Sequence, residues 1–311
     1  MKKSILLIAL YFIIGVPLMA RKGEDSLALM IKEIANYTKL RDSVTSAMSY
    51  KTGVIRLPSG IVQLNVPKGF KYLGLEQSRY VVEKLWRNLP QPDLQGMIFP
   101  EKGDPFDDSS YAYIITYNQV GFIKDGDAKD INYDELMKNM QKEDIEENAK
   151  RKAMGSAGIY TEGWAAKPYY DDQKKVLHWA LDLKLEDQEE HTLNYKIISL
   201  GRKGMLTMNA ISTTDQLGMV KADVDKVINM ADFTDGNKYK DYDSNVDQVA
   251  AWTVGGLVAG KILAKTVAGK GIFAFLKYII MAIVAAVAGA WRWITGRRKK
   301  EDAYQPVSNI E

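Results

Sequence analysis

Apolar residues recur along the chain at two different spacings, and the switches between them mark the elements. Leu27, Met30, Ile31, Ile34, Tyr37, Val44 and Met48 keep close to a helical period, which predicts a helix from Ser26 to Met48. After Gly53 the pattern shortens to alternation. Val54, Ile55 and Leu57 lead into the turn Pro58-Ser59-Gly60, and Ile61–Val66 runs on to Pro67, so a hairpin is expected. Leu75–Leu89 returns to helical spacing until Pro90 and Pro92 stop it. Strands are expected at Met97–Phe99 and Tyr111–Lys124, then a turn at Asp125-Gly126-Asp127 and a charged helix over Asn132–Met154. Further strands follow at Gly163–Lys167, Lys175–Leu185, Thr192–Ser199 and Met205–Ser212, before a last helix at Asp215–Met230.

The strands come mostly as hairpins, so the expected fold class is α+β, a largely antiparallel sheet with packed helices over residues 51–235. The element order is similar to that of the Mog1/PsbP-type sandwich. Helical residues 21–50 lead into this domain and an acidic linker, 236–249, leaves it.

Two longer apolar runs flank the domain. Lys2 and Lys3 precede an apolar stretch that ends at Ala20, the arrangement of a signal peptide over residues 1–20. Ile272–Trp291 carries Lys277 as its only charge and would reach about 30 Å as a helix, the thickness of a bilayer core. Trp291, Trp293 and Arg297-Arg298-Lys299-Lys300 follow, as expected where a transmembrane helix (271–295) meets a basic cytoplasmic tail (296–311). Residues 250–270, rich in Gly and Ala, contain Gly256-xxx-Gly260 and are expected as a juxtamembrane helix, with a second span or a flexible stalk as alternatives. The chain is thus expected in the inner membrane as a single-pass protein with its main domain exported, the lipid bilayer being its first partner.

Composition narrows the chemistry. The absence of cysteine excludes disulfides, thiol catalysis and thiolate metal sites. Nine of the 42 basic residues fall in 251–300, where there is no acid, so the formal charge of +3 conceals a mildly acidic middle. That distribution argues against a nucleic-acid-binding surface.

Only two histidines are present. His178 lies on a strand opposite Leu177, Trp179 and Leu181, sharing a face with Val176, Ala180 and Asp182. As a general base it would need a nucleophile and an orienting carboxylate; Asp171, Asp172 and Ser199 are available and Asp182 is a further carboxylate, with nothing in the spacing to select one, and a satisfied structural histidine is the plainer reading. His191 reads as a turn residue. Asp241-x-Asp243-x-Asn245-x-Asp247 starts like a calcium loop, but Val246 and Trp252 stand where Gly and Glu are required, so no metal is expected. Gly201-Arg202-Lys203-Gly204 lacks the spacing of a phosphate loop and reads as a hairpin turn. Trp164, Tyr169, Tyr170 and Trp179 would serve either a ligand surface or the core. No cofactor is expected.

Several segments form an ordered set: Gly53-x-Ile55-x-Leu57, Trp86-x-Asn88-x-Pro90, Gly121-Phe122-Ile123-x-Asp125-x-Asp127-Ala128, Gly163-Trp164-Ala165-x-x-Pro168-x-Tyr170-Asp171, Leu177-His178-Trp179-Ala180, Leu193-Asn194-Tyr195 and Leu200-Gly201-Arg202-x-Gly204-x-Leu206. Together, over roughly residues 50–270, they resemble a family of bacterial membrane-anchored proteins classified as domain of unknown function 2167. The resemblance implies an exported domain tethered by its C-terminus and no particular reaction. Its polar members, Asn88, Asp125, Asp127, Asp171, His178, Asn194, Tyr195 and Arg202, together with Trp164 and Tyr170, are the candidate site residues. The leading expectation is a non-catalytic envelope module that binds another envelope protein or ligand. The alternatives are a hydrolase using His178 with a nearby carboxylate, and a helix-associating or membrane-perturbing role for residues 250–295.

Overall fold

A computed structural model describes residues 23–260 apart from 87, 89, 108 and 154–156, so the expected signal peptide, transmembrane helix and tail lie outside the described residues. Contacts divide the chain at 48/49. In the first unit, α1 (Gly23–Ala47) is a single helix of 25 residues. Leu29, Ile31, Ile34, Tyr37 and Leu40 are all exposed on it.

The second unit is built on an eight-stranded antiparallel sheet. Its strands are β1 (Tyr50–Lys51), β4 (Phe70–Leu73), β5 (Leu94–Pro100), β6 (Ala112–Asn118), β8 (Ile159–Asp171), β9 (Val176–Leu185), β10 (Thr192–Leu200) and β11 (Met205–Thr213). They lie in the order β1-β4-β5-β6-β11-β10-β9-β8. On one face sits a small sheet, β12 (Ala231–Phe233), β3 (Val62–Val66) and β2 (Gly53–Arg56), together with α4 (Leu217–Met230). Val220, Val224, Val227 and Ile228 recur at i, i+4, i+7 and i+8, forming the stripe that α4 buries against the sheet. Each such side chain contributes about 1.5–3 kcal/mol through burial.

The opposite face is covered by α3 (Tyr133–Ala153) and by a β-α unit formed from β13 (Val249–Thr253) and α5 (Val254–Ala259). Here the structure differs from the linear pattern. Residues of the expected acidic linker make a 3₁₀ turn, Tyr239–Asp241, and the described part of 250–270 is a strand followed by a six-residue helix. Val254 to Val258 are all buried. Gly256 and Gly260 are accounted for locally: Gly256 donates its N–H to the Thr253 hydroxyl at the helix start, and Gly260 closes the end with φ at +67°. No described helix is long and apolar enough to cross a membrane.

The single strand expected over Tyr111–Lys124 is two strands in different sheets. Gly121, at φ +95°, turns the chain after β6, and β7 (Phe122–Lys124) then pairs in parallel with β13. β8 runs well past the expected Gly163–Lys167, with register shifts that absorb its extra residues. Being the sheet's edge strand, it tolerates Pro168. The helix begun at Leu75 (α2, Leu75–Arg79) widens into a π-turn at Tyr80–Leu85.

Candidate functional site

Alternation along β9 assigns the histidine's face as the sequence implies: Val176 and Ala180 belong to the core under α4, Leu177 and Trp179 to the core on the other side. His178 therefore lies on the α4 side, half-buried, with Nδ1 3.0 Å from the Tyr195 hydroxyl and the Tyr169 ring 5.5 Å away. Burial lowers its pKa, while Asp225 and Asp171 pull the other way. Asp171 does not hydrogen-bond the imidazole. Its Oδ1 instead accepts the N–H groups of Gln173 and Lys174, holding the β8–β9 turn. No serine or threonine hydroxyl among the described residues hydrogen-bonds His178, whose side-chain hydrogen-bond partner is the buried Tyr195 hydroxyl. His191 Nδ1 lies 2.8 Å from the Asp182 carboxylate, just before β10.

Other candidates converge where β7, the β8–β9 turn and the 3₁₀ turn meet. Asp125 Oδ2 accepts from the Tyr170 hydroxyl at 2.7 Å and from Lys175 Nζ at 2.8 Å. Lys175 also reaches Asp172 at 2.6 Å, and its ammonium lies 5.1 Å from the centre of the Tyr239 ring. Burial alone would raise the Asp125 pKa, but the bonds from Lys175, Tyr170 and Tyr239 outweigh it and hold the carboxyl below its usual range. Burial, with Asp125 beside it, pushes the Tyr170 phenol far up. Asp127 serves a different purpose. Its two oxygens accept the N–H groups of Val254 and Gly255, capping α5.

Arg202 forms a clasp. Its Nε donates to Asp247 Oδ2 at 2.7 Å and its Nη1 to the Gly236 carbonyl at 3.2 Å, tying the β10–β11 turn to the 236–248 segment. The glycines around it are steric necessities. A Cβ on Gly204 would stand 2.0 Å from the Asn118 carbonyl oxygen, and one on Gly201 2.4 Å from the Phe233 ring. The calcium-like run is consumed by the same loop: Asp247 also accepts from the Asp243 N–H, Asp243 from Asn245, and Asp241 from the Lys238 N–H. No group of three acidic or histidine side chains that could hold a metal occurs among the described residues.

Beside the clasp lies a cavity of about 220 Å³ lined by Gln119, Gly121, Arg202, Lys203, Val246, Asp247 and Gln248. It is smaller than the ~300–1,000 Å³ typical of small-molecule sites and suits a single side chain. At its rim Lys203 is exposed and forms no salt bridge among the described residues, and Val246 is 72% exposed. Asn88 and Trp164 stand apart from it. Asn88 donates its backbone N–H to the Val82 carbonyl at the end of the π-turn, and the Trp164 indole meets the Tyr133 carbonyl at 3.4 Å. Lys175 and Tyr239 were not singled out by the sequence, and Asp247 only as the end of the calcium-like run. Their roles depend on bringing residues 125, 175, 202 and 247 to their partners across the fold, which no local spacing reveals.

The chain matches the family described as "Protein of unknown function (DUF2167)" over residues 49–289, and it belongs to that family. Comparison with curated proteins finds no match. Among solved structures it is similar to cyanobacterial PsbP (CyanoP) from Synechocystis sp. PCC 6803 at 10% identity, covering 60% of this chain and 92% of that one with a TM-score of 0.34. It is also similar to the Ran-binding protein Mog1p of Saccharomyces cerevisiae at 10% identity, covering 61% and 97% with a TM-score of 0.33. A point mutant of Mog1 gives the same identity and TM-score over 60% and 97%. Likeness at this level carries no argument about function.

Proposed function

We propose that this family member is a non-catalytic binding module of the cell envelope. It is exported by residues 1–20, held in the inner membrane by residues 271–295, and docks a partner protein at the rim of the Arg202 cavity. The observation that carries this reading is the rim itself. Asp125, Asp127, Asp171 and Arg202 are spent on bonds that hold loops together, whereas Lys203 and Val246 remain exposed beside a cavity sized for one side chain. A cation next to an apolar contact suits an acidic partner segment with an apolar anchor. The membrane placement rests on the two terminal apolar runs and their flanking charges.

A crosslinking experiment on the full-length chain tests the docking edge. Membranes are crosslinked and purified through it, beside a Lys203→Glu/Val246→Asp variant, and captured proteins are quantified. A stoichiometric partner lost with the double variant supports the docking edge; equal capture by both forms removes it. Alkaline carbonate extraction tests the tether separately, since release of the chain into the supernatant would refute an integral anchor.

A further inference from the structure

Away from the Arg202 cavity, α1 carries an apolar seam. Leu27, Met30, Ile34, Tyr37, Arg41 and Val44 follow one another at alternating steps of three and four residues, and Met48, one residue past the helix end, continues the series. This is an unbroken seven-residue repeat over three heptads, and six of its seven seam positions are apolar. Ile31 and Leu40 occupy positions flanking the seam, while Lys32, Lys39 and Ser46 occupy the positions farthest from it. Leu29 is the one large apolar residue of α1 placed off this face.

A helix gains most of its stability by packing an apolar face. α4 does this within its own chain, where Val220 and Val227 are fully buried. In α1 every residue from 31 to 37 is exposed, with Ile34 at 44% and, beyond them, Leu40 at 50%. Apolar side chains gathered on one exposed face mark an interaction surface. The period identifies what fits it. A straight helix drifts about 20° per heptad from a strict seven-residue repeat, so a second helix coiling around α1 is what keeps such a seam covered along its length.

The seam matches itself. The same repeat on another α1 offers the holes that these side chains fill. Charge permits the match: α1 holds four acidic and three basic residues, and Glu33 is the only charge at the positions flanking the seam, so two copies bring no block of like charge together. Arg41 is the only charged seam residue, and Asp42 beside it holds its guanidinium at 2.9 Å. A single polar residue in a seam sets the number of strands, and a two-stranded coil lets the arginine stem lie along apolar surface with its charge in water. We propose that α1 pairs with α1 of a second copy of this chain in a two-stranded coiled coil. The pairing is independent of the docking edge proposed above, so either can fail without the other.

The chain has no cysteine, so single cysteine substitutions report position without background. Full-length chains carrying Ile34→Cys or Tyr37→Cys, treated in membranes with a short bis-maleimide, are expected to crosslink to a second copy. Lys32→Cys and Lys39→Cys, on the far side of the helix, are expected to stay single. Sedimentation of the purified full-length chain in detergent should show a dimer. Ile34→Ala should raise its dissociation constant at least about tenfold, and Ser46→Ala should leave it unchanged. Alanine favours the helix, so that loss reads the seam and not the folding of α1. The proposal is overturned if the parent sediments as a monomer, if Ile34→Cys and Lys39→Cys crosslink equally, if the Ile34→Cys product holds another protein in place of the second copy, or if Ile34→Ala dimerises as tightly as the parent. Should Ile34→Ala not fold, the crosslinking pattern decides the matter by the same criteria.

Discussion

Asp127 accepts the backbone N–H of Gly255 at 2.9 Å across 128 residues of chain. With the Val254 N–H at 3.1 Å, it supplies the start of α5 with two acceptors that the helix itself cannot provide. This contact joins the turn after β7 to the segment that leaves the domain. Asp127→Ala is therefore expected to cost about 0.5–2 kcal/mol, the range for loss of a helix cap. The loss should appear as a lower midpoint in urea unfolding of the full-length chain, with faster hydrogen exchange at residues 254–258. An unchanged midpoint together with unchanged exchange would mean that α5 is held by packing alone.

Asp125 predicts a pH dependence. Its folded pKa is depressed despite the opposing effect of burial, because Lys175, Tyr170 and Tyr239 favour the carboxylate. The stability it contributes is present above the unfolded carboxylate pKa of about 3.9 and is lost as pH falls through the lower folded value. Asp125→Asn should destabilise the domain by about 1.5–3 kcal/mol at neutral pH. The gap from the parent protein should close in strong acid. A gap that persisted unchanged at about pH 2, below both carboxylate values, would assign the effect to packing instead.

His178 titrates higher on the scale but with the same sign. Burial depresses its folded pKa below 6.5, so the folded state favours the neutral ring. Stability is fully present above the unfolded value of about 6.5 and drains as pH falls through it toward the folded pKa, because the unfolded chain takes up the proton first. Thermal melts of the parent between about pH 8 and 5, spanning that value, should fall more steeply than those of His178→Gln. Parallel curves would show that the ring gains its proton freely in the folded domain.

Two glycines separate close packing from backbone propensity. Gly204→Ala would drive a Cβ to 2.0 Å from the Asn118 carbonyl oxygen, a backbone atom that cannot swing aside, and a loss of at least about 3 kcal/mol is expected. Gly218, in the first turn of α4, has nothing within 4 Å of the same position. Gly218→Ala should stabilise by about 0.5–1 kcal/mol through helix propensity. Chemical denaturation of both variants checks the pair, and comparable losses would contradict the tight approach of β6 to the β10–β11 turn.

What could be read from the amino-acid order is whatever depends on neighbours a few residues apart. Strand alternation placed His178 and Trp179 on opposite faces, a charged run between two turns marked α3, and turn residues marked the hairpins, because these patterns depend on residues close in sequence. Hairpin order likewise implied an antiparallel sheet. Long-range pairing settled the rest. Val249–Thr253 becomes a strand because β7 lies beside it, Gly121 breaks the long strand because Gln248 crosses close by, and Asp127 is a cap because α5 begins where its carboxylate points. Nor does any local pattern mark Lys196. Its neighbours Trp179 and Asn209 lie on adjacent strands, and they meet it only when β9, β10 and β11 are laid side by side.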